Sequence, residues 1–278
     1  MIAGPFTVNI DAGDSDDPLH SGVLATLPEH WRVVEADDAA AVLTAGSAEE
    51  IAAAMAADHK AIVLADPTRL GPEDIERLLA RARDKVILAV PLELGPRLAA
   101  DALTSGTKTG GWSIFDSLGQ VGHHDDLHHA LLEQLTAARL LLGGVEQPLV
   151  LQQSDTHYVV SAKGPGSAAF TLAACVTRRR HFSIDLVGTT ERFEIDVDLR
   201  AMAAPMTLTR YDANGAVRSW PVHQSGHRLV WAELAAAITG ATETAWSLRR
   251  MQEDLKLVRR LLGPRDDIRR RSRACLVC

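Results

Sequence analysis

Ile184-Asp-Leu-Val-Gly-Thr-Thr-Glu-Arg-Phe-Glu-Ile-Asp196 is the stretch whose reading decides the fold. Ile184 and Leu186 alternate with Asp185, and Phe193 and Ile195 alternate with Glu194 and Asp196. The period of two is that of a strand with one apolar and one polar face. Val187-Gly-Thr-Thr190 joins the two runs, so the stretch predicts a hairpin in a half-buried sheet. Working outward, the same alternation recurs at 149–153, 157–163, 168–176, 181–187, 192–197, 206–211 and 216–222. Gly164-Pro-Gly166 and Asn214-Gly215 supply turns between these runs. A largely antiparallel open sheet is therefore expected for the C-terminal half. Arg178-Arg-Arg180 falls between two of its strands and reads either as a solvated turn or as a grip for an anion.

The N-terminal half has another rhythm. Apolar strand-like runs at 6–10, 39–44, 60–65 and 85–90 alternate with helical segments at 20–27, 48–57, 72–82 and 96–103. Alternation of this kind implies right-handed crossovers and a mainly parallel, Rossmann-like sheet. The first strand is followed by Asp11-Ala-Gly-Asp-Ser-Asp-Asp-Pro18, where a dinucleotide-binding fold would place its glycine-rich phosphate turn. Gly13 is the one glycine there, and Asp11, Asp14, Asp16 and Asp17 oppose a phosphate by like charge. An acidic solvated loop or a metal-binding loop are the two readings of these aspartates.

The whole-chain balance narrows the function classes. With 278 residues, 46% of them hydrophobic and 23% charged, the chain is long enough for two domains. A net charge of -7 argues against a nucleic-acid binder, which needs a clustered positive field. No apolar run reaches the roughly 20 residues of a membrane span, and three cysteines imply no disulfide framework. A cytoplasmic protein with no membrane contact is expected.

Between the halves, Gly122-His-His-Asp-Asp-Leu-His-His129 opens a helix expected over 126–142. On one helix, His124 and His128 would share a face at i,i+4, a spacing compatible with metal ligation. A polar lead-in with the imidazoles facing solvent is the plainer reading, and no metal site is expected overall. Two further helices, at 229–239 and 247–262, close the fold, the second with an apolar stripe at Leu248, Met251, Leu255, Val258 and Leu262.

The hairpin resembles the "I-x-V-x-G-T-x-G-x-L-x-I-D" strand pair of the C-terminal domain of Gfo/Idh/MocA oxidoreductases. Ala65-Asp-Pro67 is similar to that family's "E-K-P" motif, and Glu93-Leu-Gly-Pro96 to its "R-F-x-P" segment. The helix ending at Leu141-Leu-Gly143 resembles "D-x-x-x-H-x-x-D-x-x-x-x-L-L-G", which places His129 at the first Asp, Glu133 at the His and Thr136 at the second Asp. The helix at 229–239 resembles "W/F-x-E-L-x-x-A-I-x-G". The resemblance covers most of residues 39–263 and implies a shortened, degenerate dinucleotide-binding domain over 1–115, an α+β domain over 116–263, and a charged, flexible tail over 264–278. It implies too that a βα unit near the adenosine site, with its ribose-binding acid, is lost or shortened.

In that family the Lys of "E-K-P" and the His of the second-domain helix bind the substrate hydroxyl and carry its proton, a need set by hydride leaving an alcohol carbon. Here those positions read Asp66 and Glu133. Gly13 and Pro67 are the cofactor-contact positions that remain. The expectation is a relative that has lost NAD(P)-dependent catalysis and works as an accessory subunit or scaffold. It would form a homodimer, or a heterodimer with a full-length family member, through the C-terminal sheet. The alternative is a working NAD(P)-dependent oxidoreductase on a sugar-like or cyclic alcohol, with Asp66 and Glu133 as acid and base. The ending Cys275-Leu-Val-Cys278 resembles the tail of cypemycin-type linaridin precursors, which implies modification by a flavoprotein that decarboxylates the last cysteine. An unmodified tail or a soft-metal site are the other readings of the two thiols.

Overall fold

A computed structural model of the chain describes residues 5–11, 18–34, 39–44, 47–57, 59–82, 86–100, 111–124, 126–199, 205–219, 221, 223–240 and 244–264. The chain divides into two compact units: residues 1–96 with 226–256, and residues 97–225 with 257–278. The expectation from sequence kept 116–263 together. The helix Gly226–Ile238 instead returns to the first unit, where Trp231 and Leu234 are fully buried in its core.

The first unit is built on a five-stranded parallel sheet of order β2-β1-β3-β4-β5. Its strands are β1 (Phe6–Asp11), β2 (Trp31–Val33), β3 (Ala41–Thr44), β4 (Ala61–Leu64) and β5 (Ile87–Ala89). Every residue of β3 and β4 is buried, as strands covered on both faces by crossover helices must be. Helices α1 (Pro18–Ala25), α2 (Ala48–Ala56), α3 (Pro72–Ala82) and α4 (Leu94–Ala100) follow in chain order. The full dinucleotide-binding order 3-2-1-4-5-6 becomes the observed order when its outermost strand is removed. The strand β2 itself was not anticipated, because three residues carry no readable period.

The second unit holds an eight-stranded sheet of order β13-β12-β11-β10-β6-β9-β8-β7. Its strands are β6 (Trp112–Val121), β7 (Glu146–Gln153), β8 (His157–Lys163), β9 (Ala169–Val176), β10 (His181–Gly188), β11 (Arg192–Asp198), β12 (Met206–Asp212) and β13 (Gly215–Arg218). All neighbours are antiparallel except β6 and β9. The hairpin read from sequence is β10–β11, with Ile184 opposite Ile195 and Leu186 opposite Phe193. Its turn closes with Gly188 N donating to Glu191 O at 2.9 Å.

Helix α5 (Asp126–Leu142) covers one face of this sheet through β6 and β9. Its Gln134 is fully buried, donates to Ser117 O and Ala173 O, and accepts from the Tyr158 hydroxyl at 2.6 Å. Burial pushes the Tyr158 phenol well above its ordinary range, so it stays a neutral donor to that amide. Helices α6 (Gly226–Ile238) and α7 (Leu248–Leu262) end the described chain. Among the described residues no helix is long and apolar enough to cross a membrane.

Candidate functional site

In a doubly wound sheet, ligands bind beyond the carboxyl ends of the strands, where the strand order reverses. That point lies between β1 and β3. At the end of β3, Thr44 is buried and its hydroxyl donates to Glu50 Oε2 at 3.4 Å. Glu50 also accepts from Ser47 N while Ser47 Oγ accepts from Glu50 N, a reciprocal cap on α2. Beyond β4, Asp66 heads the short 3-10 turn Pro67–Arg69. Its carboxylate accepts from Thr68 Oγ1 at 2.6 Å and from Arg69 Nε at 3.1 Å. Pro67 is buried beside it.

Past β5 stands a group that no local spacing reveals. Glu93 Oε2 lies 2.7 Å from His227 Nδ1 and accepts from His227 N at 3.2 Å. The ring of His20 meets that of His227 edge-on at 5.2 Å, and His20 Nδ1 accepts from Trp231 Nε1 at 3.1 Å. Trp31 Nε1 donates in turn to Trp231 O at 2.9 Å. Burial, and after it the neighbouring His227, lowers the His20 imidazole from 6.5 to about 3. His20 is therefore neutral near pH 7, with its proton on Nε2. The partners are 134 and 211 residues apart in sequence, so only the folded chain brings them together.

In the second unit, His129 Nε2 lies 3.5 Å from Glu133 Oε1, one turn apart on α5. Glu133 is 1% exposed and Thr136 fully buried. The three positions that resemble family site residues do share one helix, and His129 with Glu133 forms a carboxylate–imidazole pair. The pairing of His124 with His128 is not realised. Helix α5 starts at Asp126, so His124 lies ahead of it and the i,i+4 relation does not hold. His128 is buried against the carbonyl of Gly263, 3.0 Å from its Nε2. Among the described residues no group of three or more His, Cys, Asp or Glu side chains is placed to hold a metal ion. Gly13, Cys275 and Cys278 lie outside the described residues.

The resemblance read from the sequence implies a nicotinamide dinucleotide. The segment expected to hold its diphosphate, 12–17, lies outside the described residues, and the described groups beyond β3, β4 and β5 offer it carboxylates. Glu50, Asp66 and Glu93 are carboxylates, and Arg69, the cation in that turn, is held by Asp66. Such a set repels an anion rather than cradling it. Strand β2 ends at Val33, two residues before Glu35. Glu35 itself lies outside the described residues.

No protein-family model matches the chain, and no curated protein matches it. Solved structures do. An assigned NADPH-dependent oxidoreductase from Desulfitobacterium hafniense superposes with a TM-score of 0.75 at 12% identity, over 97% of each chain. A UDP-N-acetylglucosamine 3-dehydrogenase from Acidithiobacillus ferrooxidans gives 0.72 at 11% identity, over 96% of this chain and 99% of that one. A 3-ketoreductase from Actinomadura kijaniata, solved with TDP-benzene and NADP in an open conformation, gives 0.69 at 16% identity, over 93% and 97%. At such identities the likeness is one of fold: a Rossmann-like unit with a largely antiparallel sheet unit, the architecture of Gfo/Idh/MocA-type oxidoreductases.

Proposed function

We propose that this chain keeps the oxidoreductase architecture without its NAD(P)-dependent turnover and acts by binding, as an accessory subunit. The observation that carries this reading is Asp66. It stands where the resemblance puts a proton-carrying lysine, and both its carboxylate oxygens are engaged by Thr68 and Arg69. A carboxylate in place of an ammonium inverts the charge offered to a substrate oxygen, and Glu133 is buried against His129 rather than presented. Pairing with another subunit is assigned to the open face of the eight-stranded sheet, opposite α5.

One observation favours a working enzyme as the second reading. Glu35, two residues past β2, stands at the chain position where a dinucleotide-binding fold places its ribose-binding acid. Purified protein mixed with NADPH or NADH and a panel of nucleotide-linked keto sugars separates the two. No loss of reduced-nicotinamide absorbance is expected, and substrate-dependent loss supports the enzyme. Modification of the tail is a separate proposal resting on Cys275-Leu-Val-Cys278 alone. Intact mass of protein from its native host tests it: a deficit equal to a carboxyl group and a thiol is expected, and an unchanged terminus refutes it.

A further inference from the structure

Beside β5, the first unit holds a cavity of about 390 Å³ whose described lining includes none of the candidate-site residues. Leu79 and Ala82 of α3, Leu88 of β5 and Ala237 of α6 give it apolar walls. Thr244 and Ser247, just ahead of α7, and Arg249 and Arg250 in its first turn give it a polar mouth. The volume falls within the range of small-molecule sites, about 300–1,000 Å³, and apolar walls with a few convergent polar groups are their usual make-up.

The mouth is fixed by the backbone around it. Ser247 forms an antiparallel bridge with Ala89 at the sheet edge, and Val90 N donates to Trp246 O at 2.8 Å. Glu233 on α6 accepts from Ala245 N. Lys256 Nζ, 3.3 Å from Glu76 Oε1, links α7 to α3. Walls and mouth are thus set before a ligand arrives, and binding has little ordering to impose. The polar groups also share one chemistry. Thr244 Oγ1 accepts from Trp246 N at 3.2 Å and Ser247 Oγ from Arg250 N at 3.4 Å, so each hydroxyl keeps its proton to donate. A guanidinium only donates. Every polar side chain among the described lining can therefore donate, in a chain whose net charge is -7.

We propose that this cavity binds a small amphipathic carboxylate, with its apolar body against Leu79, Leu88 and Ala237 and its acid at Ser247 and Arg250. A carboxylate meets a guanidinium in a planar two-point bond, and the start of α7 favours the same charge. An anion without an apolar body leaves the walls in contact with water. A neutral chain leaves the donors without a charged acceptor. The inference goes beyond the reading of the chain as an accessory subunit and does not depend on it.

Sodium octanoate titrated calorimetrically into the full chain is the probe. Saturable binding is expected, with octanol and inorganic phosphate each at least about tenfold weaker, since each supplies half of the match. Arg250 is exposed, so Arg250→Gln should fold; it should weaken octanoate about tenfold, the order of one charge-assisted hydrogen bond. Ala237→Leu, which fills the cavity, should weaken it at least as much, whereas Arg32→Gln on β2 should leave it unchanged. Circular dichroism checks the fold of each variant. Octanoate should also raise the thermal midpoint of the parent chain and of Arg32→Gln, but not of Ala237→Leu. No saturable heat with the parent chain, equal affinity for octanol or for phosphate, or equal losses in Arg250→Gln and Arg32→Gln overturn the proposal. Titration with nicotinamide nucleotides is a separate measurement on other residues, so failure here and failure of the proposed function are told apart.

Discussion

His20 shows how much a single buried imidazole can set. It is 2% exposed, accepts from Trp231 and touches His227. With its folded value lowered to about 3 against 6.5 in the unfolded chain, the unfolded chain binds the extra proton throughout that window. Stability is therefore complete above about pH 6.5 and is lost as pH falls toward 3; at about pH 5 the loss is of order 2 kcal/mol. His20→Gln keeps an acceptor for the Trp231 N–H and removes the titration. Urea unfolding at pH 7.5 and 5 should show a smaller acid penalty in the variant. An unchanged penalty would assign the acid sensitivity to other groups. None of this was legible beforehand, because His20 in the sequence is one imidazole near a helix start, and its partners arrive from α6.

At the level of elements, the approach of α6 to the first unit depends on one missing side chain. A Cβ on Gly226 would stand 2.1 Å from Glu93 O and 2.5 Å from Leu92 O, both backbone atoms with little room to yield. Gly226→Ala should cost about 3 kcal/mol, the upper part of the range for overpacking, seen as a lowered thermal midpoint, while Gly240→Ala, in open space, strains only its positive φ. Equal midpoints for Gly226→Ala and the parent would show that α6 is not clamped there. The elements that could be read from sequence were those with a long, clean period. The β10–β11 hairpin, α5 and the strands of the parallel sheet all announce themselves by alternation or by apolar runs. Strand β2, three residues long, did not. Nor did β6, whose alternation is blurred by exposed Ile114 and Leu118 on the open face.

For the molecule as a whole, the two-unit architecture was legible because both halves keep a distinct rhythm, parallel with helices first and antiparallel afterward. The return of α6 to the first unit was not, since an apolar helix stripe does not say which sheet it covers. For the candidate site, the resemblance singled out Asp66, His129, Glu133 and Thr136; the fold has Asp66 engaged, Glu133 buried against His129, and a Glu93–His227 pair that no local spacing announces. The account rests on the carboxyl ends of the strands being acidic where a diphosphate would need donors. Equilibrium titration of NADPH and NADH into the full chain, followed by calorimetry, tests that most directly. The account predicts no saturable heat up to about millimolar nucleotide, weaker than about 4 kcal/mol of binding free energy. Stoichiometric binding in the micromolar range would contradict it and make this chain a working nicotinamide oxidoreductase again.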